Sequence, residues 1–362
     1  MPLEKITTKS KPRDVGLDGL RTIGLLAIIL AHVGPPAILF QIRNFDVSLM
    51  ILVSGAVFNL SSGADKNYLR YFLSRVGRLL IPTWVFLIIF FILIYAISFV
   101  GGNAFPYSAN VIINTFNLVG GIGYVWIIRI FILVAISLPF LIKFYNKLEN
   151  KKIYLLSLFV IYLIYEVIYF IYSSTHFIQD VAALNFIFQN IIFYIIPYGV
   201  IAGLGFYLTR ANKKFVTWSA VLFSLIFLGL AYFYGISHFV PTQNFKYPPR
   251  AYFLSYGLAV SLALYLLSKT KAFAKIFGDK LLMFISASSL WIYLWQILLL
   301  FIWGMFRKYI NSSLQNFVIE YIFVVFASLA VTFIQKLIFR KITDKLVEYK
   351  NLNGFLKTAF LK

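Results

Sequence analysis

The sequence contains no cysteine, which removes disulfides, thiolate nucleophiles and cysteine metal ligands together while leaving the compartment open. Charge is scarce as well. Only 12% of the 362 residues are charged, against about a quarter in ordinary soluble domains, so water is not the main solvent of this chain. There is no long polar linker, no low-complexity tract, no soluble appendage and no convincing internal repeat. A cleavable leader pattern is missing too: the first 19 residues are polar, and the first apolar run continues into many others, so the start reads as a lead-in to a retained helix.

What is abundant is apolar length. The chain is 61% hydrophobic with a mean hydropathy of +0.86. Its apolar runs are each about 18 to 22 residues, enough to cross roughly 30 Å of hydrocarbon as helices. A barrel would instead alternate apolar and polar residues over segments of about ten. These runs are apolar on every side, and the 39 Phe and 24 Tyr suit lipid-facing and interfacial positions. The expected fold is therefore an all-α integral membrane protein with spans near residues 20–36, 45–61, 80–99, 122–142, 153–173, 186–208, 216–236, 251–268, 282–304 and 317–335. Taking the segments between spans alternately, one class holds 26 of the 33 Lys and Arg and the other 5, with Arg21 and Arg129 inside spans. The positive-inside rule places the richer class, and both termini, in the cytoplasm. The net charge of +21 is then explained by topology, with no nucleic acid expected as a partner. Residues 1–338 read as one transmembrane domain and 339–362 as a basic tail, either lying in an anionic lipid interface or solvated.

Ionisable residues inside a span cost roughly 2.5 to 3.5 kcal/mol at its centre and so require a partner or a task. The first span carries Asp18, Arg21 and His32 on one face, with Arg21 and His32 eleven residues apart, or roughly 16 Å along a helix. His32 is then a catalytic base or a hydrogen-bonded structural histidine. Asp46 starts the second span at the depth inferred for His32, where it would orient the imidazole or cap its own helix. Ser54 and Gly55 would allow close helix approach. Arg75 and Arg78, one turn apart before the span expected to begin at Pro82, form a phosphate clamp or snorkel to headgroups. Trp126, Lys246, Tyr293 and Gln296 are further candidates for binding substrate. Arg129 and Glu166 are expected to pair with each other structurally. The run Lys246 to Arg250 would form a rigid basic edge on the outer face.

Together, DGLR, the histidine eleven residues after its arginine, SG in the second span, RVGRLLIP before the third and SLWIY near the ninth resemble the membrane acyltransferase family 3 in order and spacing. That resemblance implies ten spans and transfer of acyl groups, usually acetyl from acetyl-CoA, to hydroxyls of exported or cell-surface glycans, in a bacterial cytoplasmic membrane. It places the core motif on Arg21 and His32 and implies a cytoplasmic acyl-CoA donor, whose phosphates Arg21, Arg75 and Arg78 are expected to hold from their place at the inner boundary. His32, with Asp46, would then activate the acceptor or carry the acyl group. No metal is expected. The family often has an acid six positions before the SG serine, where Ser48 stands, and a histidine in the ninth span, where Gln296 stands. These departures suggest a divergent branch. The rival reading is a transporter or flippase for a glycan or charged solute, whose intramembrane ionisable residues would mark a path.

Overall fold

The computed structural model describes residues 14–61, 67–175, 178–236, 238–309, 311–312 and 315–361. Among these there are ten helices long and apolar enough to cross a membrane: Val15–His32, Ala37–Leu60, Tyr68–Val100, Trp126–Lys147, Lys151–Ser174, Ala182–Leu208, Lys213–Tyr234, Ala251–Ser268, Ser289–Phe306 and Phe317–Lys345. They are called the first to tenth spans below. No sheet forms among the described residues. The first span lies near the centre, packed on the second, eighth, ninth and tenth. The seventh is peripheral, with 6% of its most apolar window buried in the protein, so its apolar side chains face outward, as a lipid-exposed helix requires.

Local chemistry moves three expected boundaries. The third span begins at Tyr68, and Pro82 lies inside it. Proline forfeits only the bond to the carbonyl of Arg78, a loss that a long membrane helix tolerates. The helix start is instead fixed by Asn67, whose side chain accepts from the N–H groups of Leu69 and Arg70. The second span starts early, at Ala37, and tightens into a 3₁₀ turn at Arg43–Phe45 before continuing from Asp46. The ninth is interrupted: a short helix, Lys280–Ala287, stops at Ser288 (φ −114°, ψ 11°) and a new one starts at Ser289.

The tenth span runs past residue 338 to Lys345, and the chain then turns back through a short helix, Lys350–Leu356. Phe360 stacks on Phe339 with ring centroids 3.6 Å apart and on Trp291 at 5.8 Å. The Trp291 indole donates to the Ala359 carbonyl at 3.0 Å. Residues 357–361 therefore dock on the base of the ninth span.

The second and sixth spans cross at glycines. A Cβ at Gly55 would run into the carbonyl of Ala202, and one at Gly205 into that of Leu52, so the approach anticipated at Ser54 and Gly55 is made backbone to backbone. Gly229, in the exposed seventh span, has nothing within 4 Å of the same position. Gly55→Val is expected to lower the thermal midpoint in detergent sharply, since overpacking costs about 1–3 kcal/mol even where side chains can yield. Gly229→Ala should leave it unchanged or raise it slightly. Equal midpoints for the two variants would contradict the crossing.

Candidate active site

At the end of the bundle where the first span begins, Asp14 caps the helix by accepting from the Leu17 N–H at 3.0 Å. Asp18 and Arg21 follow on one face, one turn apart. The Arg21 guanidinium donates to Asp18 Oδ1 at 3.3 Å and to Ser286 Oγ at 3.4 Å, while Ser286 donates to the same carboxylate oxygen at 2.8 Å. The polar stripe of the first span is thus tied to the short helix that precedes the ninth. Arg21 also faces a cavity of about 520 Å³, whose wall includes Ser54, Arg75, Arg78, Ser286, Ser289 and Tyr293. Among the described residues no carboxylate pairs with Arg75 or Arg78, which leaves two guanidiniums one turn apart on the cavity wall.

His32 is the last residue of the first span and lines a second chamber, of about 110 Å³. Its Nδ1 lies 2.9 Å from Nε2 and 3.3 Å from Oε1 of Gln296. A carboxamide can serve either ring tautomer by turning over, since it offers a donor and an acceptor. Tyr124 packs edge-on to the imidazole at 4.9 Å, and Tyr293, 6.3 Å from it, donates its hydroxyl to the Tyr124 carbonyl. The two cavities have Ile28, Ile127 and Tyr293 in common. These three side chains form the partition between the arginine-lined space and the histidine-lined one.

The chamber's other wall is charged. Asp46 is 1% exposed, and its carboxylate accepts from Arg43 Nη1 at 2.9 Å and from the N–H of Val47 at 2.6 Å. The 3₁₀ turn explains the first contact, because side chains at i and i+3 eclipse in that geometry. Lys246 Nζ stands 3.7 Å from Asp46 Oδ1, the oxygen that accepts from Val47. It lies 5.7 Å from the ring centroids of Trp126, Tyr247 and Phe253. Burial pulls the Lys246 ammonium below its usual pKa and Arg43 adds to this, while Asp46 works the other way. Trp126, the first residue of the fourth span, meets Tyr247 edge-on at 5.0 Å and completes this side.

Several expected contacts are replaced by others. Among the described residues no hydrogen bond joins Asp46 to His32: the carboxylate is occupied by Arg43 and Lys246, and Gln296 takes the imidazole. Both residues nonetheless line the same chamber. Arg129 bonds Asn190 at 2.6 Å instead of Glu166, and Glu166 binds Arg250 at 2.7 Å and the Ala251 N–H at 3.0 Å. In the basic edge from Lys246 to Arg250 the two cations are paired, Lys246 with Asp46 and Arg250 with Glu166. Ser48 lies against Gly257 where the second and eighth spans cross. Arg43 and Ser286 were missed in the sequence. The spacing of Arg43 three residues before Asp46 was the available signal for the first, whereas Ser286 is found only through the break at Ser288.

Residues 14–335, most of the chain, match the acyltransferase domain of acyltransferase family 3. No curated protein and no solved structure matches the chain. The match takes in both cavities and all ten helices except the last turns of the tenth, so the residues just described lie within the family's domain. The chain belongs to acyltransferase family 3 and is a multi-pass membrane acyltransferase.

Proposed function

We propose that the protein moves an acetyl group from acetyl-CoA, taken up at the arginine-lined end, to a hydroxyl of an exported or cell-surface polysaccharide at the other end. The observation that carries this reading is the shared partition: an arginine-lined cavity of about 520 Å³ and a histidine-lined chamber of about 110 Å³ meet at Ile28, Ile127 and Tyr293. The larger volume is in the range of small-molecule sites. Arg21, Arg75 and Arg78 would hold donor phosphates, for which planar guanidinium forks are well suited. The bound thioester supplies an activated acyl carbon.

The rest is the work of this chain's own residues. His32 takes the proton of the acceptor hydroxyl at Nε2, which requires the proton on Nδ1. Gln296 holds that tautomer when its carboxamide oxygen faces the ring. Tyr293, anchored on the Tyr124 carbonyl, and the two isoleucines mark the boundary at which the thioester would meet the hydroxyl; as the new ester C–O bond forms the C–S bond breaks, and CoA leaves as the thiol with the proton that His32 gives back. The distribution of Lys and Arg puts the arginine end in the cytoplasm, in what we read as a bacterial cytoplasmic membrane.

Two measurements test this. Mass spectrometry of surface glycan from deletion and complemented cells is expected to differ by one acyl unit per modified sugar, and identical spectra would contradict the reading. For the orientation, single cysteines replacing Lys9, which lies outside the described residues, and Gly354 are both expected to resist an impermeant thiol reagent in intact cells. The native chain has no cysteine to give background. Labelling of either from outside would reverse the assignment of sides.

A further inference from the structure

The charged wall of the small chamber is out of balance. Apart from His32, its charged side chains are Arg43, Lys246 and Asp46, two cations to one carboxylate, and they are 3%, 3% and 1% exposed. Buried ions are normally matched and hydrogen-bonded, because an unmatched one carries the full cost of leaving water. Asp46 is matched, at 2.9 Å, by Arg43. Lys246 shares that same carboxylate at 3.7 Å, longer than the roughly 2.7–2.9 Å of a strong charge-assisted hydrogen bond, so one carboxylate serves two buried cations and the set keeps a net positive charge. The three rings around it favour a cation but accept no directed hydrogen bond from it. A lysine held this way, in the wall of a chamber that also presents a histidine, is organised to receive an anion.

The donor's phosphates do not need this charge. They have the arginines of the larger cavity, on the far side of Ile28, Ile127 and Tyr293. A chamber of about 110 Å³ holds the volume of a few water molecules, so it takes a hydroxyl and one small neighbouring group of the acceptor. Resting on the function proposed above, we infer that the acceptor is an acidic sugar unit: the hydroxyl that presents itself to His32 belongs to a residue bearing a carboxylate or phosphate, which completes the ion set at Lys246 and Arg43. The anion fixes which hydroxyl reaches the imidazole, so the same contact sets regiochemistry.

The test starts from surface glycan of complemented and deletion cells, broken to oligosaccharides and separated by anion exchange into acidic and neutral fractions. The increment of one acyl unit is expected in the acidic fraction only. Sensitivity to phosphatase then separates a phosphate-bearing acceptor from a carboxylate-bearing one. An increment carried by neutral oligosaccharides overturns the inference while leaving acyl transfer intact, whereas no increment in either fraction overturns the acyl-transfer reading itself. A second arm uses the full chain in liposomes with the de-esterified acidic oligosaccharide from deletion cells. Lys246→Met, which keeps an unbranched stem of similar length, is expected to raise KM for this acceptor about tenfold or more with KM for acetyl-CoA unchanged. Unchanged acceptor KM in a folded variant also overturns the inference, and should that variant fail to insert, the fractionation decides alone.

Discussion

His32→Ala is expected to lower acyl transfer by a factor of roughly 10² to 10⁴, the range for loss of a positioned general base, in a protein that still folds and binds CoA. The separation of effects follows from the geometry. Arg21 and His32 are eleven residues apart on one helix, roughly 16 Å, and they line different cavities on either side of the partition at Ile28, Ile127 and Tyr293. On the proposed function, donor affinity would therefore reside at one end and proton transfer at the other. Glutamine at position 32 sharpens the test, since it can replace a hydrogen bond to Gln296 but cannot take up a proton at neutral pH. Activity of His32→Gln near that of the parent would mean that the histidine only braces the ninth span. Loss in both variants, with CoA binding intact, is the outcome expected of a base.

The double variant Arg75→Ala, Arg78→Ala should weaken the donor by roughly 10²- to 10⁴-fold, because hydrogen bonds to charged groups contribute about 1.5 to 3 kcal/mol each. Both side chains line the cavity of about 520 Å³, and no carboxylate among the described residues competes for them. Acceptor KM should stay as it is, since these arginines are absent from the histidine-lined chamber. The measurement is CoA binding to the purified protein together with its insertion level. Normal insertion with unchanged CoA affinity would return both arginines to the role of headgroup anchors.

Much of the architecture was legible because hydropathy reports what lipid demands. An apolar run of about 20 residues has few stable alternatives to a spanning helix, and each of the ten expected spans overlaps one of the ten helices long and apolar enough to cross. What hydropathy does not report is how a helix is interrupted. Pro82 looked like a start because proline favours first turns, yet the helix had already begun at Tyr68, on the Asn67 cap. The stop at Ser288 falls inside the expected span 282–304, at the serines Ser286, Ser288 and Ser289, which are polar but too small and uncharged to end an apolar run on a hydropathy scale.

At the site, the residue types were legible and their partners were not. The stripe of Asp18, Arg21 and His32 follows from helical spacing alone. Which carboxylate meets which cation depends on fractions of a turn: a single 3₁₀ turn at Arg43–Phe45 brings Arg43 onto Asp46 and so takes that carboxylate away from His32. Gln296 then inherits the imidazole. The sequence places Lys246 in a rigid basic edge beside the eighth span, and only tertiary packing puts it beside Asp46 as a buried cation.

The most direct test of acetyl transfer is made with purified protein in liposomes, radiolabelled acetyl-CoA and glycan isolated from deletion cells. Label is expected to enter the glycan with the parent protein and to stay at background with His32→Ala. Glycan that remains unlabelled with the parent, or that crosses the bilayer unmodified, would contradict the account.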